Sequence, residues 1–404
     1  MAGGDDSTPP LPPIKLLREF FEIAYLAAAT PEESRYPRFN LVAILSNDPR
    51  TRHVGKIWNF NNPRRLSVEE VRRLAPSVDF NKSAILTEWS ENGWRITGLV
   101  DLGTSWTRAR MGLQYDYDFP DSLFVQVDRP GRIRVYQGEF LVTELADGKL
   151  QRIKGIDHHF ALHGPVHRGL NEIRDLITPP KIEEPRDYHN FEFIALRNVF
   201  TAIANCISDA AHGGAVILVP PESSLLSEGL RVKYQQDSAV LQEAFIEFMN
   251  VRNRTVDLVI QIEDGKTSNS IKGRYAQAEL DSAKAHLNLV EAIRFIARLS
   301  GCDGAIILSE NLRLLGFGAE IRAELRNETR IREVIDEMRK LSRPMDIEQF
   351  GLRHRSAVKL ISNHERFSAL VISQDGPISV IWSNEGTVNV RKGVHLMNLN
   401  MPWT

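Results

Sequence analysis

The sequence lacks the features that mark several large classes of protein. Its 404 residues include only two cysteines, Cys206 and Cys302, without CxxC spacing, which excludes a disulfide framework and a cysteine-rich zinc site. Lys and Arg total 50 against 52 Asp and Glu, a formal net charge of -2. Because no overall positive field exists, non-specific binding to nucleic acid is not expected. We expect a cytoplasmic protein whose anion sites, where present, are local.

Long apolar runs are also missing. The most apolar N-terminal stretch, Ile14 to Thr30, is interrupted by four charged residues, whereas a membrane span needs about 20 apolar residues. Its apolar positions recur at helical spacing, which predicts an amphipathic helix that packs one face on a core or on a second subunit. Residues 1–13 are rich in proline and glycine and are expected to form a disordered tail. We expect no association with a membrane.

Residues 14–157 predict a β-rich α+β domain. Asn92-Gly93 separates two apolar segments, Ala84–Trp89 and Trp94–Val100, a pattern typical of a β-hairpin. Ser67 precedes Glu70 by three residues at the start of an apolar periodic segment, which predicts a capped helix. Four further strands are expected to form a meander: Leu123–Val127, Ile133–Tyr136, Phe140–Glu144 and Leu150–Ile153.

Between residues 158 and 189 the composition changes to His, Gly, Pro and charged residues, which predicts a linker. Four histidines fall in this segment: His158, His159, His163 and His167. Gly164-Pro165 is expected to break any helix between them, and no carboxylate or thiolate set accompanies them. This pattern therefore disfavours a metal site.

Residues 190–404 predict an α/β domain. Helices are expected at Phe193–Ala211, Ala239–Asn250, Ala283–Ser300, Ala323–Leu341 and Ala357–Ile361. Strands are expected at Ala215–Val219, Ala305–Leu308, Leu312–Gly316, Ala369–Ser373 and Ile378–Trp382.

Three short segments at the ends of these elements suit a metal-bound polyphosphate. They are Cys302-Asp303-Gly304-Ala305, Gly351-Leu352-Arg353-His354-Arg355-Ser356-Ala357 and Ser373-Gln374-Asp375-Gly376. Two arginines at a helix N-terminus provide guanidinium and amide donors for phosphate. A divalent cation on such a ligand also needs a carboxylate, which Asp303 can supply.

These segments, with the strands Gly213–Ile217 and Ala369–Ser373 in the same order, resemble the DisA-type diadenylate cyclase (DAC) domain over roughly residues 190–385. The resemblance implies a mixed sheet flanked by helices and an enzyme that joins two ATP molecules into cyclic di-AMP, releasing two pyrophosphates. It also implies Mg²⁺ or Mn²⁺ and a homo-oligomer in which two DAC domains face each other. The N-terminal half is similar in position to the sensor domains that precede DAC domains in some bacterial signalling proteins.

The resemblance further implies roles for individual residues. Asp303 would contact the divalent metal or the attacking hydroxyl, and Gly304 would allow close backbone approach. Arg353 and Arg355 would bind phosphate, and His354 would contact phosphate or metal. The residues expected to border the nucleotide are Ala305, Leu352, Ser373 and Gln374.

Three features depart from the family pattern. Leu352 stands where the family usually has Thr or Ser, and Gln374 stands where it usually has Glu. Asp375, one position later, is the carboxylate that can replace that Glu at the metal. The spacing between Asp303 and Arg353 is also longer than usual. A second interpretation is therefore a catalytically weakened DAC-like domain that senses adenine nucleotide, and a third is a scaffold whose N-terminal domain binds a protein.

Overall fold

A computed structural model describes residues 12–31, 35–43, 56–80, 82–103, 122–138, 140–146, 148–152, 162–181, 185–210, 213–221, 229–265, 268–336, 341–374 and 378–394. These residues form two compact units, one before and one after the boundary between Gly155 and Ile156. Over the ranges described, no helix is both long and apolar enough to span a lipid bilayer.

The first unit is a mixed sheet covered by short helices. Its helices are α1 (Ile14–Ala29) and α2 (Val68–Leu74), and its strands are β1 (Phe39–Ala43), β2 (Lys56–Arg65), β3 (Ser83–Ser90), β4 (Gly93–Asp101), β5 (Leu123–Arg129), β6 (Arg132–Gln137), β7 (Phe140–Ala146) and β8 (Lys149–Arg152). The strand order is β2-β4-β3-β1-β5-β6-β7-β8. Only the β1–β3 pair among these neighbours is parallel.

The structure confirms the hairpin turn, the capped helix and the amphipathic helix that the sequence of this unit predicts. Gly93 has a φ of 104° and starts β4 directly after the hairpin turn, a conformation that favours glycine. The Ser67 hydroxyl accepts a hydrogen bond from the Glu70 amide and caps α2. Helix α1 buries Phe20 against Trp94, with ring centroids 4.4 Å apart, and the Trp94 indole donates to the Leu16 carbonyl. The amphipathic helix therefore packs on the core of its own unit.

The second unit is an α/β structure built on a second mixed sheet. Its helices are α3 (His163–Ile173), α4 (Pro185–Asp209), α5 (Val240–Glu263), α6 (Asn269–Arg298) and α7 (Leu352–Asn363). Its strands are β9 (Gly214–Val219), β10 (Leu230–Ser238), β11 (Ala305–Ser309), β12 (Leu314–Ile321), β13 (Arg330–Asp336), β14 (Leu341–Pro344), β15 (Ser368–Ile372), β16 (Ile378–Asn384) and β17 (Thr387–Val394).

The sheet order in the second unit is β10-β12-β11-β9-β15-β16-β17-β13-β14. The central strands β9, β11 and β15 are buried along their whole length, which explains their continuous apolar sequences. Helix α7 packs on one face of these strands through residues that include Ala357, Val358 and Ile361. The packing fixes the start of α7 relative to the central strands.

The segment expected to be a linker contains structured chain. Helix α3 begins at His163 and holds Pro165 in its first turn, where proline costs no hydrogen bond because the first amides of a helix have no intrahelical acceptor. The expectation that Gly164-Pro165 breaks the helix was therefore wrong. Arg168 of α3 forms a bidentate ion pair with Glu310, at 2.6 and 2.8 Å.

The charged helix expected over Ala323–Leu341 was also wrong. Strand β13 lies within that range and β14 begins at its end, with β13 parallel to β17 and antiparallel to β14. The abundant Glu and Arg favour a helix by intrinsic propensity, but β13 and the edge strand β14 are the outermost pair of the sheet, and charged residues are equally typical of edge strands. Arg343 of β14 pairs with Glu333 of β13 at 2.6 Å.

Candidate functional site

Four strands of the second unit bring the three predicted segments to one edge of the sheet. The parallel strands β9 and β11 begin at this edge, and their antiparallel neighbours β15 and β12 end there, with Ile372 opposite Gly214 and Ala319 opposite Ala305. Ligand sites in open α/β sheets usually lie at the carboxyl ends of parallel strands. Here the segments meet at the amino ends of β9 and β11, so that general rule alone does not locate them.

Arg353 and Gln374 meet at a glycine before β9. Gly213 has a φ of 63°, and a Cβ at that position would lie 2.9 Å from the backbone nitrogen of Gln374 and 3.0 Å from Nη1 of Arg353. Any larger residue would displace one of these groups. The structure thus joins the RHR segment to the turn after β15, where Ser373 is half-buried and Gln374 is exposed.

Asp303 and Gly304 occupy the neighbouring position at the start of β11. Gly304 has a φ of 119°, and a Cβ there would lie 2.5 Å from the carbonyl carbon of Gly318 and 2.7 Å from the Ala319 nitrogen. Only glycine permits this close approach of β11 to β12. The Asp303 side chain is exposed, whereas Ala305 is buried as the first residue of β11.

The N-terminus of α7 faces the same region. Gly351 is the N-cap residue, no side chain caps the helix, and its first turn contains no acidic residue. The first-turn amides of such a helix can bind an anion. Leu352 is 73% exposed at the first helical position. It supplies no hydroxyl where the family resemblance places one.

The other two members of the RHR segment contact different partners. Arg355 pairs with Glu348 at 2.9 Å. His354 Nε2 lies 2.9 Å from the Ser379 hydroxyl, and its ring stacks on Phe350 with an interplanar angle of 9°. Burial, and to a lesser extent the charge of Lys392, lowers the pKa of His354 to about 4. His354 is therefore neutral at physiological pH and holds the first turn of α7 against β16.

A pair of aromatic residues beside Asp303 was not predicted as part of the site. Tyr234 of β10 and Phe317 of β12 stack with ring centroids 4.7 Å apart, and Tyr234 is 54% exposed. A Cβ at Gly318 would lie 3.2 Å from the Tyr234 ring and 3.5 Å from the Asp303 carbonyl oxygen. The sequence signal was Phe317 between two glycines, but its partner lies on β10, a strand that the sequence reasoning missed.

Of the two aspartates predicted to hold a divalent metal, Asp303 lies within the described residues. Asp375 lies outside the described residues, and over the described ranges no group of three His, Cys, Asp or Glu residues could hold a metal ion. Mg²⁺ is usually held by one or two carboxylates together with substrate phosphates and water. Asp303, which is exposed just before β11, is a carboxylate that could act in that mode.

The histidine segment does not extend this site. His163 and His167 lie on α3 with ring centroids 4.5 Å apart, whereas His158 and His159 lie outside the described residues. Burial, followed by the charges of His163 and Arg174, lowers the pKa of His167.

Comparison with known families gives a match in the first unit. Residues 6–101, which are 96 of the 404 residues, match the family model described as Probable sensor domain DACNV. The first unit is therefore similar to a sensor domain, in agreement with the expectation for the N-terminal half. No curated protein matches the chain.

Proposed function

We propose that the second unit binds ATP at this edge of its sheet and is a diadenylate cyclase regulated by the sensor-like first unit. One observation carries the proposal. Three segments separated by tens of residues in the sequence meet at one end of the sheet: Asp303 precedes β11, Gln374 follows β15, and Arg353 of α7 reaches Gly213 before β9. Glycine at positions 213 and 304 permits this close contact between the segments.

The phosphates of ATP would lie between Arg353 and the first-turn amides of α7. The guanidinium provides charge-assisted donors, and the helix dipole favours an anion at the same position. Two arginines at a helix N-terminus oppose that dipole, so a bound anion also removes an unfavourable interaction. Asp303 would hold the divalent metal, which when bound neutralises charge on the phosphates.

The exposed face of Tyr234 provides a surface for the adenine base. Stacking of a base on an aromatic side chain contributes about 1 to 3 kcal/mol. Tyr234 contacts Gly318, which adjoins Asp303 across the β11–β12 pair. The base and the metal-bound phosphates would thus have separate contacts, on β10 and at the start of β11, with β12 between them.

The proposed reaction needs two copies of the site. The 3′-oxygen of each ATP forms a bond to the α-phosphorus of the other, the bond to the bridging oxygen breaks, and each pyrophosphate carries away the electron pair. Each hydroxyl proton passes to solvent. Because the protein forms no covalent bond, its contribution is positioning and charge stabilisation. The two sites must face each other, which implies a homo-oligomer.

Calorimetry together with product analysis tests the proposal. Asp303→Asn should bind ATP without forming cyclic di-AMP, whereas Arg353→Ala should lose most of the binding. Asp264→Asn, which neutralises an exposed aspartate after α5, is the matched control and should retain both properties. Equal product from Asp303→Asn and the control would contradict the assignment.

Leu352 and Gln374 favour a second candidate, a nucleotide sensor without efficient turnover. Leu352 presents an apolar side chain to solvent at the helix N-terminus, and Gln374 is neutral at the turn beside Gly213. If these two residues limit catalysis, the double variant Leu352→Thr/Gln374→Glu should form cyclic di-AMP where the natural chain forms none. Product from the natural chain that disappears in Asp375→Asn would support the enzyme instead.

A further inference from the structure

Helix α6 carries a stripe of exposed apolar side chains. Leu280, Leu287 and Phe295 are 67%, 40% and 57% exposed, while Leu289 and Ile293 on the opposite side are buried. Spacings of seven and eight residues place the three side chains within an arc of about 80° on one face of α6, over a length of about 22 Å at 1.5 Å per residue. Exposed apolar surface arranged in this way is typical of an interaction site.

Two charged residues alternate with the apolar ones along the stripe. Lys284 and Glu291 are both exposed and lie on either side of Leu287 in the sequence. At 3.6 residues per turn, both fall on the same face as the three apolar side chains, between Leu287 and Phe295 around the helix axis. Within the ranges that the structure describes, neither side chain forms an ion pair. The stripe therefore presents one positive and one negative group at matched distances from its centre.

We infer that this stripe is the contact surface for α6 of a second copy of the chain, in antiparallel orientation. A two-fold axis between Leu287 and Asn288 places Leu280 opposite the partner subunit's Phe295, and Lys284 opposite the partner subunit's Glu291. The apolar pair and the charged pair then each occur twice about the axis, as an isologous interface requires, and the two Leu287 side chains flank the axis. A parallel pair in register would instead place like charges opposite each other, which is unfavourable.

This contact is separate from the one that the proposed reaction requires. Asp303 follows the C-terminal end of α6, so an antiparallel pair places the two candidate sites at opposite ends of the contact. The inference thus stands whether or not the second unit is a cyclase. A single helix pair buries less than the roughly 800 Å² per partner of a standard interface, so the association should be reversible on dilution.

Sedimentation equilibrium of the full chain without nucleotide tests the inference. The natural chain should associate over a dilution series. Lys284→Glu and Glu291→Lys should each raise the dissociation constant about tenfold, because the two-fold axis repeats each new like-charge contact twice. An equimolar mixture of the two variants should restore association, since every cross-contact is then between opposite charges.

Two controls separate this surface from general effects of charge. Lys272→Glu and Glu279→Lys make the same charge changes on exposed positions of α6 away from the stripe, and each should leave association unchanged. Leu287→Asp should abolish it without changing the circular dichroism spectrum. Any of three results would overturn the inference. The natural chain stays monomeric over the whole dilution series, the single variants dimerise as tightly as the natural chain, or the mixture dimerises no more tightly than its components.

Discussion

The buried histidine of the RHR segment gives a quantitative prediction for the stability of the second unit at acidic pH. In the folded chain, burial beside Phe350 and the charge of Lys392 hold the pKa of His354 at about 4, against an ordinary value of 6.5. Between these two values, the unfolded chain binds a proton that the folded chain does not. The free energy of unfolding must therefore fall as the pH is lowered through this window and be fully recovered above it.

The size of the effect follows from the two pKa values. A tenfold change in proton affinity corresponds to about 1.4 kcal/mol, so acidification from about pH 7 to about pH 4.5 should cost the second unit about 2.5 kcal/mol through His354. His354→Gln removes the titrating group while keeping a hydrogen-bonding side chain near Ser379. Over the same pH range, the free energy of unfolding of this variant should fall by about 2.5 kcal/mol less than that of the natural chain.

Urea unfolding at a series of pH values measures the difference. Cys206 and Cys302 both lie in the second unit and are partly buried, so the increase in their rate of reaction with a disulfide reagent that works at acidic pH, above the rate without urea, reports the unfolding of that unit. The pH profiles of the natural chain and His354→Gln should diverge below about pH 6.5. Parallel profiles would mean that His354 ionises freely in the folded chain, and the assignment of a neutral, positioning histidine would be refuted.

Three further substitutions test the site and its support. Arg353→Ala should weaken ATP binding about tenfold to a hundredfold by calorimetry, the cost of one charge-assisted contact to phosphate. Gly304→Ala should lower the thermal midpoint and stop product formation, because its Cβ would lie 2.5 Å from backbone at a φ of 119°, a strain of roughly 1 to 3 kcal/mol or more. Arg168→Ala leaves the fully buried Glu310 without its bidentate partner and should lower the free energy of unfolding by about 2 to 4 kcal/mol, a value reduced because Arg168 is partly exposed. Equal urea midpoints for Arg168→Ala and the natural chain would contradict the last expectation.

Local chemistry made much of the fold predictable from the sequence. The Asn92-Gly93 turn and the capped helix after Ser67 depend on neighbouring residues, and the structure confirms both. The buried strands β9, β11 and β15 were predicted because continuous apolar segments bounded by glycine or charge admit few alternatives. The edge strands β10 and β14 were missed. Strand β14 has four residues and exposes most of its side chains, whereas the alternation of Leu230, Val232 and Tyr234 with polar residues in β10 is a strand signal that sequence reasoning overlooked.

The parts of the site that sequence reasoning missed depend on contacts between distant segments. Asp303 and Arg353 were predicted from their positions before a strand and at a helix N-terminus, and from the resemblance of these segments to a family; the structure places both at one end of the sheet. The orientation of His354 toward Ser379, and of Arg355 toward Glu348, is decided by how α7 packs on the sheet. No local pattern in the RHR segment distinguishes these side chains from that of Arg353.

The central claim is that the second unit joins two ATP molecules. The most direct measurement is to incubate the purified full chain with ATP and Mg²⁺ or Mn²⁺, and to identify the nucleotide product by mass spectrometry while pyrophosphate is quantified. We predict cyclic di-AMP with two pyrophosphates released for each molecule, and a loss on the order of 10² or more in Asp303→Asn. Unchanged ATP with either metal, or a product that forms equally well in Asp303→Asn, would contradict the account.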